Sequence, residues 1–116
     1  MAQHPFEQQI RDLYEAFNRR DSSYVTDRMS PNVTWPRAFK GGVVHGPDAV
    51  RAYWDDQWRE IDPHVEPVDI ERLADGRYDV EVHQVVRDLN GAVIADVTVH
   101  HVYTFDGAKI ASMEIS

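Results

Sequence analysis

The sequence predicts an α+β fold, with helices gathered on one face of an antiparallel sheet, and three observations predict it. Apolar residues recur at helical spacing over about residues 5–20, as Phe6, Ile10, Leu13, Tyr14 and Phe17. From His64 onward, apolar and polar residues alternate with period two. That second half is broken by three turn signals: Asp75-Gly76, Asn90-Gly91 and Asp106-Gly107.

The remaining elements follow in chain order. Asp21, Ser22 and Ser23 can cap a short second helix carrying Tyr24, Val25 and Met29, and Ser30-Pro31-Asn32 is expected to end it. Val33-Thr34-Trp35 is a short strand closed by Pro36, and a loop from Arg37 to His45 is centred on Gly41-Gly42. Pro47 and Asp48 suit the first turn of a third helix, whose apolar side is Val50, Tyr53, Trp54, Trp58 and Ile61. Pro63 is expected to stop it. The segment His64 to Leu73 contains Pro67, so it is an edge strand or carries a bulge. Further strands are expected over about Arg77–Asp88, Ala92–Phe105 and Lys109–Ile115.

Register can be worked out from these turns. A two-residue Asn90-Gly91 loop pairs Leu89 with Ala92. It then sets Val80 opposite His101, Val82 opposite Val99 and Gln84 opposite Val97, so the apolar faces of both strands coincide. The other face pairs Glu81 with His100 and His83 with Thr98. For the last hairpin, a three-residue loop with Gly107 in a bulge brings Ala111, Met113 and Ile115 to the apolar side, with Met113 beside His101. Two long strands curl around the first and third helices, and the space between them is a natural pocket.

Composition narrows the classes of function. The 116 residues suit one domain, and 42% apolar content supports a core. With no cysteine, disulfides and thiolate chemistry are excluded. Twenty acidic residues against 12 basic give a net charge of -8, a field that repels nucleic acid. The N-terminus has no basic region leading into an apolar run, and no apolar stretch is long enough for a membrane span. The expectation is a cytoplasmic protein. No Gly-rich phosphate motif follows a strand, so no cofactor is expected.

Within the strand Val97–Phe105, one face carries Val97, Val99, His101, Tyr103 and Phe105. An imidazole on a greasy face is either a satisfied core residue or the polar centre of a pocket. On the second reading, His101 is the catalytic candidate. Tyr103 lines the same space, and Gln84, a polar residue on an apolar face, either orients His101, holds a ligand carbonyl or bonds to helix backbone. Tyr14, Trp35, Tyr53 and Trp54 either floor an aromatic pocket for a flat ligand or are plain core. His83 and His100 face away from His101, so no metal site is expected.

Four stretches carry a likeness to a known family. They are Leu13–Asp21 at the end of the first helix, Asn32–Pro36 at the first strand, His45–Trp54 feeding the third helix, and the final hairpin through Val102–Gly107 and Ile110–Met113. Together they resemble the nuclear transport factor 2-like superfamily, with its ketosteroid isomerases, scytalone dehydratase and SnoaL-like polyketide cyclases. The resemblance spans nearly the whole chain, residues 1–116, as one domain. It implies a cystatin-like, cone-shaped half-barrel: a curved, mostly antiparallel sheet wrapped around N-terminal helices. It also implies a homodimer through the outer sheet face, which the apolar outer residues Val85 and Val102 suit.

Ketosteroid isomerases use a helix tyrosine, an aspartate base after the first strand and a protonated strand aspartate. Here Tyr14 falls about one residue out of step with that tyrosine. Trp35 stands where the base would be, and His101 where the strand aspartate would be. The resemblance therefore implies a cofactor-free protein whose cavity takes a hydrophobic, carbonyl-bearing small molecule. Its chemistry would be acid/base proton transfer at His101, as in isomerisation, cyclisation or dehydration, with Tyr14, Gln84 and Tyr103 supplying hydrogen bonds. The alternative is a non-catalytic ligand-binding or dimerisation module of the same fold.

Overall fold

The apolar stripe of the first segment folds as helix α1, Glu7–Asn18, and buries Ile10, Leu13, Tyr14 and Ala16. The computed structural model describes residues 6–37 and 40–116; the first five residues and positions 38–39 of the expected loop lie outside them. Helix α1 ends in a Schellman turn, with the Asp21 N–H bonded to the Ala16 carbonyl at 2.9 Å. The left-handed residue of that turn is Arg20, at φ 65°, where glycine is the usual choice. Its guanidinium offsets the strain by donating to the Pro63 carbonyl at 2.9 Å and pairing with Asp62. Asp21 then caps α2, Ser22–Thr26, by accepting from the Tyr24 N–H.

The second helix is shorter than expected. Met29 opens strand β1, Met29–Pro36, and Ser30-Pro31-Asn32 runs through it rather than ending a helix. Pro31 has no N–H to give a ladder, and the pairing is irregular there, shifting between Met29 and Thr34. The end of the expected Arg37–His45 loop is strand β2, Val43–His45, antiparallel to β1. Gly46 makes the turn into α3, Pro47–Glu60, at φ 88°, with its N–H on the Val33 carbonyl at 2.8 Å.

Helix α3 stops at Glu60, so Ile61 and Pro63 belong to strand β3, Ile61–Arg72, and not to the helix and its terminator. Both fit because β3 is an edge strand, and the Pro67 bulge appears as a register shift between Pro67 and Asp69. Strands β4, Tyr78–Asp88, β5, Val93–Asp106, and β6, Lys109–Ile115, complete one sheet in the order β2-β1-β6-β5-β4-β3. All pairings are antiparallel except β1 with β6. The sheet curves without closing, and its concave face holds the helices. The core between them includes Ile10, Val33, Val50, Val80, Val82 and Ile110, none with any exposure. Each such side chain contributes about 1.5–3 kcal/mol on burial.

The β4–β5 register is the expected one through most of its length: Val80 faces His101, Val82 faces Val99 and Gln84 faces Val97. The turn itself differs. Leu89 does not pair with Ala92; instead the Asp88 N–H bonds the Ala92 carbonyl at 2.8 Å, and a three-residue loop replaces the two-residue one. The Asp88 carboxylate stabilises it by accepting from the N–H groups of Asn90 and Ala92. A shift between Val86 and Arg87 then restores the register. The last hairpin shows the reverse exchange. Its turn is the two-residue Gly107-Ala108, and the irregularity sits between Thr104 and Phe105. Ala111 does not join the core as expected: it is the extra residue at the irregularity, and Ile110 turns inward in its place. Beyond it parity survives, so Met113 is buried as expected, but it faces Tyr103, and His101 faces Ile115. Val97 is 44% exposed, because the start of β5 meets solvent on both faces.

Helix α1 is clamped to the edge of β3. The Asn18 amide donates to the Val65 carbonyl at 2.7 Å and accepts from the Val65 N–H at 2.9 Å. With the Arg20 bond to Pro63, this occupies the outward peptide groups at Pro63 and Val65. Replacing Asn18 by Ala is expected to cost about 2 kcal/mol, since two half-buried backbone groups lose their partners. Urea unfolding checks this; no loss would mean that water replaces the clamp without penalty. No helix among the described residues is long and apolar enough to cross a membrane.

Candidate functional site

Strand parity turns His101 inward, 7% exposed, while its neighbour His100 faces outward and bonds Asp79 at 2.8 Å. His83 pairs with Asp96 on the same outer face at 2.7 Å. No group of His and acidic residues among the described residues has the arrangement of a metal site.

Across the core, Tyr14 on α1 meets His101, with 2.8 Å between its hydroxyl and Nδ1. The Tyr103 hydroxyl donates to the Tyr14 hydroxyl, also at 2.8 Å. All three groups are buried. Tyr14 has one proton and two neighbours. Because Tyr103 donates to its oxygen, the Tyr14 proton goes to Nδ1, and any other arrangement buries an unpaired hydroxyl hydrogen. A neutral imidazole bonded this way carries its hydrogen on Nε2. That nitrogen has no protein partner among the described residues, yet it is not sealed from solvent.

Electrostatics keep the chain in this state. Burial, and secondarily the charge on His100, push the His101 pKa down to about 4, so the ring is neutral at pH 7. Burial also raises both phenols: Tyr14 well above its ordinary range, with help from Tyr103, and Tyr103 despite its bond to Tyr14. Both therefore remain proton donors.

The imidazole borders a cavity of about 70 Å³. One water needs roughly 10–15 Å³ by the same measure, so there is room for a small organic molecule. From the sheet, Gln84, His101 and Tyr103 line it, with Trp35 from β1; from the helices come Tyr14, Tyr53 and Trp54. All seven residues singled out in the sequence thus meet at one hollow. Trp35 packs edge-on to Trp54 with ring centres 5.5 Å apart, and Tyr14 edge-on to Tyr103 at 6.3 Å. Gln84 does not orient His101; that role falls to Tyr14, and the Gln84 amide makes no side-chain hydrogen bond among the described residues. The structure adds two further features to the lining. Gln57, 7% exposed, lines the hollow and donates from Nε2 to the Tyr53 hydroxyl at 3.2 Å. Its signal was present in the sequence, since it continues the α3 stripe of Val50, Tyr53 and Trp54. Leu13 and Phe17, from the α1 stripe, and Val65, Met113 and Ile115, from the strands, supply apolar wall. Among the described residues, no Asp, Glu, Lys or Arg lines the hollow.

Comparison with known proteins matches residues 10–113 to the SnoaL-like domain. The chain belongs to the SnoaL-like domain family. The SnoaL-like chain is also similar to solved structures. An NTF2-like protein of unknown function from Burkholderia pseudomallei is 26% identical, with a TM-score of 0.84 over 98% of this chain and 91% of that one. TerC, co-crystallised with polyporic acid, is 22% identical, with a TM-score of 0.83 over 97% and 91%. A cystatin-fold protein from Novosphingobium aromaticivorans is 19% identical, with a TM-score of 0.77 over 99% of both chains. These likenesses establish the α+β half-barrel expected from the sequence. None of the curated proteins compared with the chain matches it.

Proposed function

We propose that this SnoaL-like protein binds an uncharged, carbonyl-bearing small molecule in the aromatic hollow and promotes proton transfer on it. The observation that carries the reading is the His101 ring, held at Nδ1 by Tyr14 at a cavity with no charged side chain among the described lining residues, which leaves Nε2–H for a ligand. A neutral imidazole donating to a carbonyl oxygen is an effective electrophile, because the bond strengthens as negative charge grows on that oxygen. Apolar aromatic walls lower the local dielectric and strengthen that bond. The carbon beside the carbonyl then gives up its proton more readily to water entering from solvent, and Nε2–H holds the enolate oxygen that results; this is the common step of isomerisation, cyclisation and dehydration. His101 acts in the resting state as a hydrogen-bond donor; serving as a base requires the Tyr103–Tyr14–His101 chain to reverse. Val85 and Val102, half-buried on the outer sheet face, favour assembly as a homodimer through that face.

Deuterium exchange tests the reading directly. In heavy water, the wild-type protein is expected to accelerate exchange at the carbon beside the carbonyl of acetophenone, and His101→Ala to abolish the acceleration while keeping the fold. Equal exchange by both proteins would remove His101 from the chemistry. Binding without any acceleration would assign the chain to the non-catalytic alternative.

A further inference from the structure

We infer that Gln57 selects the ligand, and that the preferred molecule carries a hydroxyl group in addition to its carbonyl. The inference rests on the reading of the hollow given above and names the second functional group of its ligand. Gln57 lies on the helical wall, facing a sheet wall whose polar point is His101. Its amide is only half used. Nε2 donates to Tyr53, whereas Oε1 has no partner among the described residues. The residue is nine-tenths buried, yet Oε1 is not sealed, so it opens on the space beside it. An acceptor that opens on an otherwise apolar hollow gains a partner when the ligand carries a hydroxyl.

The position of Gln57 adds a second, independent observation. Among the described residues, only Tyr53 and Gln57 line both the inner hollow and a neighbouring pocket of about 320 Å³ bordered by Lys40, Glu60, Ile61, Val86 and Ile94. The amide therefore stands at the junction of the two spaces. The site offers a donor, Nε2–H of His101, to a carbonyl, and an acceptor, Oε1 of Gln57, to a hydroxyl. Among the described residues a carboxylate finds no cation in the inner hollow, and Lys40 borders only the neighbouring pocket, together with Glu60. A site built to bond a substrate hydroxyl discriminates strongly against the analogue that lacks it.

Calorimetric titration of acetophenone and its three hydroxylated isomers tests the inference. The readout is the ratio of affinities, hydroxylated over parent, within each protein. In the wild type, the best isomer is expected to bind at least tenfold tighter than acetophenone. In Gln57→Leu the ratio is expected to fall to near one. Gln57→Met, with the original chain length, serves if the leucine variant fails to fold, and Gln84→Leu is the comparison. A wild-type ratio near one overturns the inference. So does a ratio that persists in both Gln57 variants, or one that collapses only in Gln84→Leu. Failure of every ketone to bind the wild type would instead overturn the underlying reading of the hollow.

Discussion

Tyr14→Phe is expected to lower folding stability by about 3 kcal/mol, the larger part of it from two hydrogen bonds lost at once. The Tyr14 hydroxyl is the middle of a chain, accepting from Tyr103 and donating to His101. Phenylalanine preserves the ring and its packing against Tyr103 but strands a buried hydroxyl on one side and a buried ring nitrogen on the other. Tyr103→Phe should cost less, about 1 kcal/mol, because Tyr14 then still donates to Nδ1. Urea denaturation of the two variants gives the comparison. Nitrogen chemical shifts of the imidazole supply a second check: the Nε2–H tautomer should dominate in the wild type and lose its preference in Tyr14→Phe. Equal costs for the two variants would rule out a chain with Tyr14 at its centre.

Acid should destabilise the fold through His101. Unfolded, the ring titrates near 6.5; folded, near 4. Between those values the unfolded chain binds a proton that the folded chain does not, so stability rises with pH across this window. The contribution is intact above about pH 6.5 and is lost as pH falls toward 4, amounting to roughly 3 kcal/mol if the whole shift is realised. His100 acts in the opposite sense, since its bond to Asp79 raises its pKa. His101→Asn isolates the buried ring, as an amide can still accept from Tyr14 and does not titrate. The difference in unfolding free energy between wild type and this variant, followed from pH 7 to 4, should shrink steadily. A constant difference would mean that His101 charges without penalty inside the fold.

Period-two parity carried most of the site. It turned His101 inward, paired it with Val80, and gathered Gln84 and Tyr103 on the same wall. Helical spacing brought Tyr14, Tyr53 and Trp54 to the facing side. What the sequence hid was tertiary. The Tyr14–His101 bond joins residues 87 apart, and the parallel pairing of β1 with β6 has no local signature. Turn geometry was hidden for a different reason. A bulge beside Gly107 and one at Ala111 give the same parity from Ser112 onward, so the pattern there cannot choose between them, although the choice decides whether Met113 or Ile115 faces His101. Gln57 was overlooked because a polar residue on an apolar stripe reads as an interruption.

The clamp of Asn18 and Arg20 on β3 has a consequence for assembly. A bare rim invites a foreign strand to zip onto it, the first step of runaway polymerisation. Here the outward peptide groups at Pro63 and Val65 are already engaged, and Pro67 denies an incoming chain its next donor. The opposite rim, β2, is three residues long and offers little purchase. Side-by-side strand recruitment is therefore hindered along the first half of one rim and poorly supported at the other.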